Sequence, residues 1–203
     1  MNDRPKLQTL RSVCVFCGSS NGTEPAFQAA ADGLGPALKA IGVEWVVYGG
    51  GSTGLMGRVA DSALAAGLKV YGVQPDFLDA RERSHKRLTE LEVVPSMHLR
   101  KQKMSERADA FLTLPGGIGT LEELCEIFTW AQLGLHRKPV GLLNLLGYYD
   151  PLLEYFDRMV TYGFQAQQYR DIVVAAPDLP TLLGRMQTYQ GPEPYLNLTP
   201  SQV

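Results

Sequence analysis

Cysteine and histidine are scarce, neither sign of charge dominates, and no long hydrophobic run exists. Each absence removes a class of function. Three cysteines, Cys14, Cys17 and Cys125, cannot all pair, which points to a reducing compartment, the cytoplasm, rather than to a disulfide-built secreted scaffold. The three histidines, His85, His98 and His136, are scattered without H-x-x-x-H or Cys/His spacing, so no metal site is expected. A formal net charge of −2 leaves no global basic field, and bulk nucleic acid is not an expected partner. The opening MNDRPKLQTLRS lacks the apolar core of a signal peptide, and no later segment approaches the length of a membrane span.

What is present is the balance of a globular protein: 203 residues, 45% hydrophobic and 20% charged. One domain spanning residues 1–203 is expected, with unstructured ends at about 1–10 and 191–203. Short β-rich runs alternate with longer stretches of helical period, the rhythm of βαβ units. Strands are expected at Ser12–Cys17, Glu44–Tyr48, Lys69–Val73, Leu91–Val94, Ala110–Leu114 and Pro139–Leu143, with a weaker seventh at Ile172–Ala175. Helices are expected at Ala26–Ile41, Leu55–Ala66, Met97–Ala108, Leu121–Leu133, Tyr149–Tyr162 and Leu179–Tyr189, three of them followed by Gly42, Gly67 and Gly134. The strands lack apolar/polar alternation, so both sheet faces are covered: an α/β, Rossmann-like, doubly wound parallel sheet. Ligands bind such sheets beyond the carboxyl ends of the strands. Cys14 and Cys17 form a C-x-x-C on a strand, where residues three apart face opposite ways, which argues against a redox pair.

Three loops follow strands. Gly18-Ser19-Ser20-Asn21-Gly22 offers small residues and hydroxyls to a ligand, though a plain turn uses the same residues. In Gly49-Gly50-Gly51-Ser52-Thr53-Gly54, the glycines 49, 51 and 54 fit G-x-G-x-x-G, but the next strand ends in GVQPDF without the acidic ribose-binding residue of a dinucleotide site. Close approach of some ligand to the backbone is the better reading. The third loop, Pro115-Gly116-Gly117-Ile118-Gly119-Thr120-Leu121-Glu122-Glu123, combines free backbone N–H groups with a helix N-terminus near Thr120, an anion cradle of phosphate size. No Gly-Lys-Ser/Thr follows, so it is not the triphosphate P-loop. Thr120 caps the helix, donates to the anion, or does both, and Glu122 and Glu123 also suit the helix dipole alone. Upstream, Met97-His98-Leu99-Arg100-Lys101 begins a helix whose basic residues either meet a phosphate or ribose or form a solvated face.

These residues resemble the Lonely guy proteins, the cytokinin riboside 5′-monophosphate phosphoribohydrolases formerly labelled lysine decarboxylases. The resemblance spans Ser12 to Asp178. It rests on P-G-G-x-G-T-x-x-E at Pro115–Glu123, on Arg100-Lys101 after Met97-His98, on CVFCGSS and YGGGSTGLMG, and on the run from Glu122 to Asn144. It implies hydrolysis of N6-substituted adenosine 5′-monophosphates to free base and ribose 5-phosphate by a homodimer without organic cofactor or metal. It implies Arg100 and Glu123 as catalytic residues, the carboxylate stabilising an oxocarbenium-like state or activating water and the guanidinium neutralising charge on the departing base. Substrate contacts are implied for Gly18, Ser19, Gly50, Gly51 and Met97, for Lys101, and for Gly116, Gly117, Ile118, Gly119, Thr120, Leu121, Glu122 and Thr129. Glu82 is implied by its spacing before Arg100, although its surroundings ARERSHKRL depart from the family's Pro-Arg-Glu-Leu at Ala80 and Arg83. Lysine decarboxylation is poorly supported, since no lysine and carboxylate are arranged for pyridoxal phosphate. The alternative of another class is a nucleotide or molybdenum-cofactor carrier without turnover, which would keep the cradle but not need both Arg100 and Glu123.

Overall fold

The computed structural model describes residues 7–79 and 84–196. Seven strands, β1 (Ser12–Phe16), β2 (Trp45–Tyr48), β3 (Lys69–Pro75), β4 (Glu90–Val94), β5 (Ala110–Thr113), β6 (Val140–Leu143) and β7 (Val173–Ala176), form one sheet in the order β4-β3-β2-β1-β5-β6-β7. All neighbouring pairs are parallel. The helices are α1 (Pro25–Ala40), α2 (Gly54–Ala65), α3 (Asp76–Asp79), α4 (Met97–Glu106), α5 (Ile118–Leu133), α6 (Asp150–Thr161), α7 (Gln167–Arg170) and α8 (Leu179–Gln187). Every strand and long helix expected from the sequence is there within a few residues. The one-turn helices α3 and α7 were not foreseen, because four residues are too few to show a period.

Side chains along each strand sort into two cores. Val13, Val15 and Cys17 pack with Leu34 of α1, Val59 of α2 and Leu183 of α8 on one face. Cys14 and Phe16 pack with Met104 of α4, Leu124 and Ile127 of α5 and Phe156 of α6 on the other. The sheet is therefore doubly wound, and Cys14 and Cys17 lie in opposite layers, each thiol pushed up by burial. Strand order reverses between β1 and β5, so the loops after these two strands diverge and leave a crevice at the carboxyl edge.

The first layer depends on how α1 accommodates Pro36. A proline inside a helix has no N–H for the carbonyl four residues earlier, here that of Asp32. Ser62 of α2 supplies the missing donor: its Oγ donates to the Asp32 carbonyl at 2.5 Å and accepts the Gly35 N–H at 2.9 Å. Such contact needs Gly35, since a Cβ there would sit 2.1 Å from the Ser62 carbonyl oxygen. The glycines expected to end helices do so: Gly42, Gly67 and Gly134 have φ of 87°, 76° and 89°.

The chain ends differ from expectation where they are described. Leu10 is buried and the Gln8 N–H donates to the Gln187 carbonyl at 2.7 Å. At the other end the Tyr195 N–H donates to the Gln132 carbonyl at 3.0 Å, and Glu193 pairs with Arg137 at 2.6 Å. Prolines 192 and 194 do not free this segment, because it lies across Gly134, where a Cβ would meet the Leu196 carbonyl oxygen at 2.2 Å.

Candidate active site

The loops after β1 and β5 meet over the crevice. The Gly18 N–H donates to the Pro115 carbonyl at 3.1 Å, and the Leu55 N–H of α2 donates to the Gly18 carbonyl at 3.1 Å. Together they wall a cavity of about 280 Å³ lined by Gly18, Ser19, Ser20, Asn21, Gly22, Phe27, Leu55, Pro115, Gly116, Gly117 and Tyr148. Helix α5 starts here, with Gly117 as its N-cap and no side chain capping it. Its first helical bond of this turn runs from the Leu121 N–H to the Gly117 carbonyl at 3.1 Å. The N–H groups of residues 117–120 have no protein acceptor among the described residues, and space beside Gly117 and Gly119 is open. Unpaired N–H groups at a helix N-terminus form an anion site. Thr120 is the third residue of α5, so it cannot be the N-cap considered from sequence. It is buried, and its Oγ1 packs against Gly116, where a Cβ would stand 2.2 Å away.

The second half of the site lies between α4 and α5. Ser96 caps α4, its Oγ accepting the Leu99 N–H at 3.2 Å, and this start directs Arg100 inward. Arg100 is buried, with Nε donating to the Val73 carbonyl at 3.2 Å and Nη2 to the Gly49 carbonyl at 3.4 Å. Its Nη1 stands 3.5 Å from Glu123 Oε1 and 4.0 Å from Met97 Sδ. The guanidinium thus spans the carboxyl ends of β2 and β3 and reaches α5. Burial pushes the Glu123 carboxyl up to about 7; Arg100 draws it down and Glu122 pushes it up further. Desolvation wins, and the carboxyl is held well above the ordinary range of a glutamate.

Lys101 takes the neighbouring direction on α4 and is also buried, pairing with Glu122 at 2.5 Å and Glu126 at 2.9 Å. Burial lowers its pKa, but the hydrogen bonds it donates to Glu122 and Glu126, together with their charges, outweigh this and hold the ammonium above its ordinary value. A solvated basic face on this helix is therefore excluded. Both cations are used to fasten α4 to α5.

Among the expected substrate contacts, Gly18, Ser19, Gly116 and Gly117 share the cavity, and Ile118 and Gly119 stand exposed at its rim. Leu121 is half-buried one turn along α5. Gly50 and Gly51 do not reach the cavity: the Gly50 carbonyl accepts the His85 N–H at 3.1 Å and the Gly51 carbonyl the Tyr48 hydroxyl at 3.1 Å. Thr129 is exposed two turns beyond Glu122, its hydroxyl donating to the Cys125 carbonyl at 2.7 Å. Glu82 lies outside the described residues. The G-x-G-x-x-G glycines have protein neighbours rather than a dinucleotide as their reason. A Cβ on Gly49 would lie 1.9 Å from Arg100 Nη2, and one on Gly54, whose φ is 58°, would lie 2.3 Å from the Ser19 backbone.

Sequence reasoning missed Phe27, Tyr148 and Glu126. Phe27 sits in an ordinary helical stripe and Tyr148 in a turn 31 residues after Gly117, so only the fold unites them with the cradle. Glu126, one turn beyond Glu122, was legible as a partner for a basic residue on a packed helix. Among the described residues no group of three or more His, Cys, Asp or Glu could hold a metal ion. His136 is neutral, its pKa lowered to about 4 by burial, with Nε2–H donating to the Ile127 carbonyl at 3.0 Å. No described helix is long and apolar enough to cross a membrane.

The chain was compared with known proteins. The family model described as "Possible lysine decarboxylase" matches residues 56–186. The chain is 48% identical over 180 residues to a cytokinin riboside 5′-monophosphate phosphoribohydrolase of Arabidopsis thaliana, covering 89% of this chain and 82% of that one. It is 48% identical over 179 residues to the corresponding enzyme of Oryza sativa subsp. japonica, covering 88% and 74%. Among solved structures, the molybdenum cofactor carrier protein of Chlamydomonas reinhardtii superposes with a TM-score of 0.61 at 18% identity, over 87% of this chain and 96% of that one. The molybdenum cofactor binding protein of Rippkaea orientalis gives a TM-score of 0.61 at 17% identity, over 85% and 91%. These two share the fold alone. Sequence identity near one half across nearly the whole chain is decisive, and the protein belongs to the Lonely guy family, the family of the cytokinin riboside 5′-monophosphate phosphoribohydrolases.

Proposed function

We propose that this chain is a cytoplasmic hydrolase that cleaves the N-glycosidic bond of adenosine 5′-monophosphate or its N6-substituted forms, releasing the base and ribose 5-phosphate. The observation that carries this reading is the placement on one helix of an anion cradle and, six residues after its N-cap, a largely buried carboxyl 3.5 Å from the Arg100 guanidinium, with its pKa raised to about 7. Six residues of helix rise span about 9 Å, and helical side chains lean toward the N-terminus. A ribose held by its 5′-phosphate at Gly116–Thr120 therefore comes within reach of Glu123. Gly18 and Ser19 complete the phosphate wall, and Leu121, Glu122 and Met97 flank the sugar and base.

The chemistry follows from the two charges. As the bond from C1′ to the base nitrogen breaks, its electron pair leaves with the base and positive charge grows on the ribose. The Glu123 carboxylate stabilises that charge and takes a proton from the water whose oxygen bonds to C1′. Arg100 stabilises the negative charge on the departing base, which takes up a proton to match the one Glu123 gives back, so that neutral base and ribose 5-phosphate leave and the carboxylate is restored. A carrier without turnover has no use for a buried guanidinium facing a carboxyl of raised pKa, which favours the enzyme over that alternative. Incubation of the purified protein with adenosine 5′-monophosphate is expected to yield free adenine and ribose 5-phosphate; intact nucleotide after many protein equivalents contradicts the proposal. In the same assay adenosine should be a poor substrate, because without an anion the cradle's N–H groups stay unpaired. Comparable kcat/KM for nucleoside and nucleotide contradicts the phosphate assignment.

The pH dependence has a definite sign. Glu123 works as a carboxylate, so kcat/KM should rise through about pH 7, the value to which burial pushes the group, and level off above it. Glu123→Gln removes the charge but keeps size, and kcat should drop roughly 100-fold or more with nucleotide binding retained in calorimetry. Unchanged turnover in folded Glu123→Gln protein removes this residue from the mechanism.

A homodimer is the expected assembly. Phe128 of α5 is covered within the chain by Phe156 of α6 at a ring distance of 5.4 Å. Among the large apolar residues that stay exposed are Tyr155, Tyr162 and Phe164, on and just after α6, and Ile118 at the start of α5. Covering them by a second copy is expected to give a species of twice the chain mass in sedimentation at micromolar concentration; a monomer alone argues against it.

A further inference from the structure

The turn between β6 and α6 reaches across β5 and ends on the cradle. Tyr148 donates its hydroxyl to the Gly116 carbonyl at 2.7 Å, and Tyr149 donates its hydroxyl to the Leu114 carbonyl at 2.8 Å. The turn is built rather than loose. Asn144 accepts the Tyr149 N–H at 2.7 Å and donates to Asp150 at 2.7 Å, Leu146 adopts left-handed backbone at φ 56°, and Tyr148 packs edge-on to Phe27 and Tyr149. A leucine takes that backbone only where its surroundings hold it.

Peptide units are planar and trans, so a donor that fixes a carbonyl also fixes the next residue's N–H on the opposite side. In the cradle three successive planes are held in this way. The Pro115 carbonyl is held by the Gly18 N–H, the Gly116 carbonyl by Tyr148, and the Gly117 carbonyl by the Leu121 N–H. They orient the N–H groups of Gly116, Gly117 and Ile118 in turn. Glycine backbone has the most freedom to lose, so without these holds the plane between Gly116 and Gly117 can rotate and present its carbonyl oxygen to an anion. Only the middle hold comes from a side chain.

We infer that Tyr148 is a positioning residue for the 5′-phosphate: by holding the Gly116 carbonyl it keeps the Gly117 N–H turned toward the anion, and so sets the affinity for the phosphate-bearing substrate rather than the rate of bond cleavage. This rests on the reading of the cradle as the phosphate site. Tyr149 is the internal comparison. It is buried, and the carbonyl it holds precedes Pro115, which has no N–H to orient; its hydroxyl also meets the Gly116 backbone, so it steadies the start of the loop but does not orient the Gly117 N–H.

The test compares wild type, Tyr148→Phe and Tyr149→Phe with adenosine 5′-monophosphate and adenosine as substrates, with ribose 5-phosphate and free adenine as inhibitors, and with melting temperatures. Tyr148→Phe is expected to raise KM for the nucleotide and the inhibition constant of ribose 5-phosphate together, by about 3- to 10-fold, with kcat within about twofold. Its inhibition by adenine and its melting temperature should stay near wild type. Tyr149→Phe should melt a few degrees lower, with a smaller rise in the nucleotide KM than Tyr148→Phe shows. If wild type strongly prefers the nucleotide but Tyr148→Phe shows wild-type KM, or weakens adenine and ribose 5-phosphate alike, the positioning role is overturned while the phosphate site stands. If wild type turns over adenosine as well as the nucleotide, the phosphate reading falls and this role falls with it.

Discussion

A guanidinium does not give up its proton under any condition a folded protein survives, so an arginine taken out of water must find acceptors in the protein. Arg100 sets that demand at the centre of this molecule. Two strand-end carbonyls, those of Gly49 and Val73, and the carboxyl of Glu123 answer it. Much of the local sequence follows. The first glycine after β2 leaves room for the guanidinium, Ser96 starts α4 so that residue 100 turns inward, and α5 must run close enough for its carboxyl to approach. The same burial acts on Glu123, since the desolvation that Arg100 only partly offsets raises the carboxyl toward neutrality. Removing one partner of such a buried pair costs on the order of 3–5 kcal/mol, because it strands the other. The fold and the proposed chemistry thus draw on one interaction.

Around this pair the side proposed for the phosphate is made of backbone. Glycines 116, 117 and 119 allow N–H groups to converge, but glycine also brings the largest conformational freedom. The fold removes that freedom from outside the loop: β1 supplies the Gly18 N–H, α5 its own first-turn bond, and the turn after β6 two tyrosine hydroxyls. Strand reversal between β1 and β5 is what brings these contributors to one edge. Lys101 extends the scheme to the other helix, binding Glu122 and Glu126 so that α4 and α5 keep their spacing beside the crevice.

Most of this fold was legible in the chain, because parallel strands buried on both faces read as short apolar runs and the helices between them show a clear period. The cores confirm it in detail, down to Cys14 and Cys17 on opposite faces. The glycine loop at the start of a helix was legible as well, from Pro115 to Thr120. Less visible was anything fixed by long-range contact. Helix α4, MHLRKQKMSE, has few apolar residues, so spacing alone could not say that Arg100 and Lys101 are buried; family resemblance marked them as site residues, and the structure shows their burial. Thr120 looked like a cap because threonine favours that position, but the helix starts three residues after Pro115 and Gly117 takes the cap. Tyr148 and Phe27 left no trace at all, since their partners lie far away in sequence.

The central claim is that burial holds the Glu123 carboxyl near neutrality even though an arginine stands beside it. A direct measurement is the carbon-detected NMR titration of side-chain carboxyls in protein labelled at glutamate Cδ, with Glu123→Gln used to assign the resonance. The account predicts a midpoint of about 7 for Glu123 in the free protein. A midpoint near the ordinary value of 4.5 for a glutamate would show that the Arg100 charge outweighs desolvation, and would contradict the account.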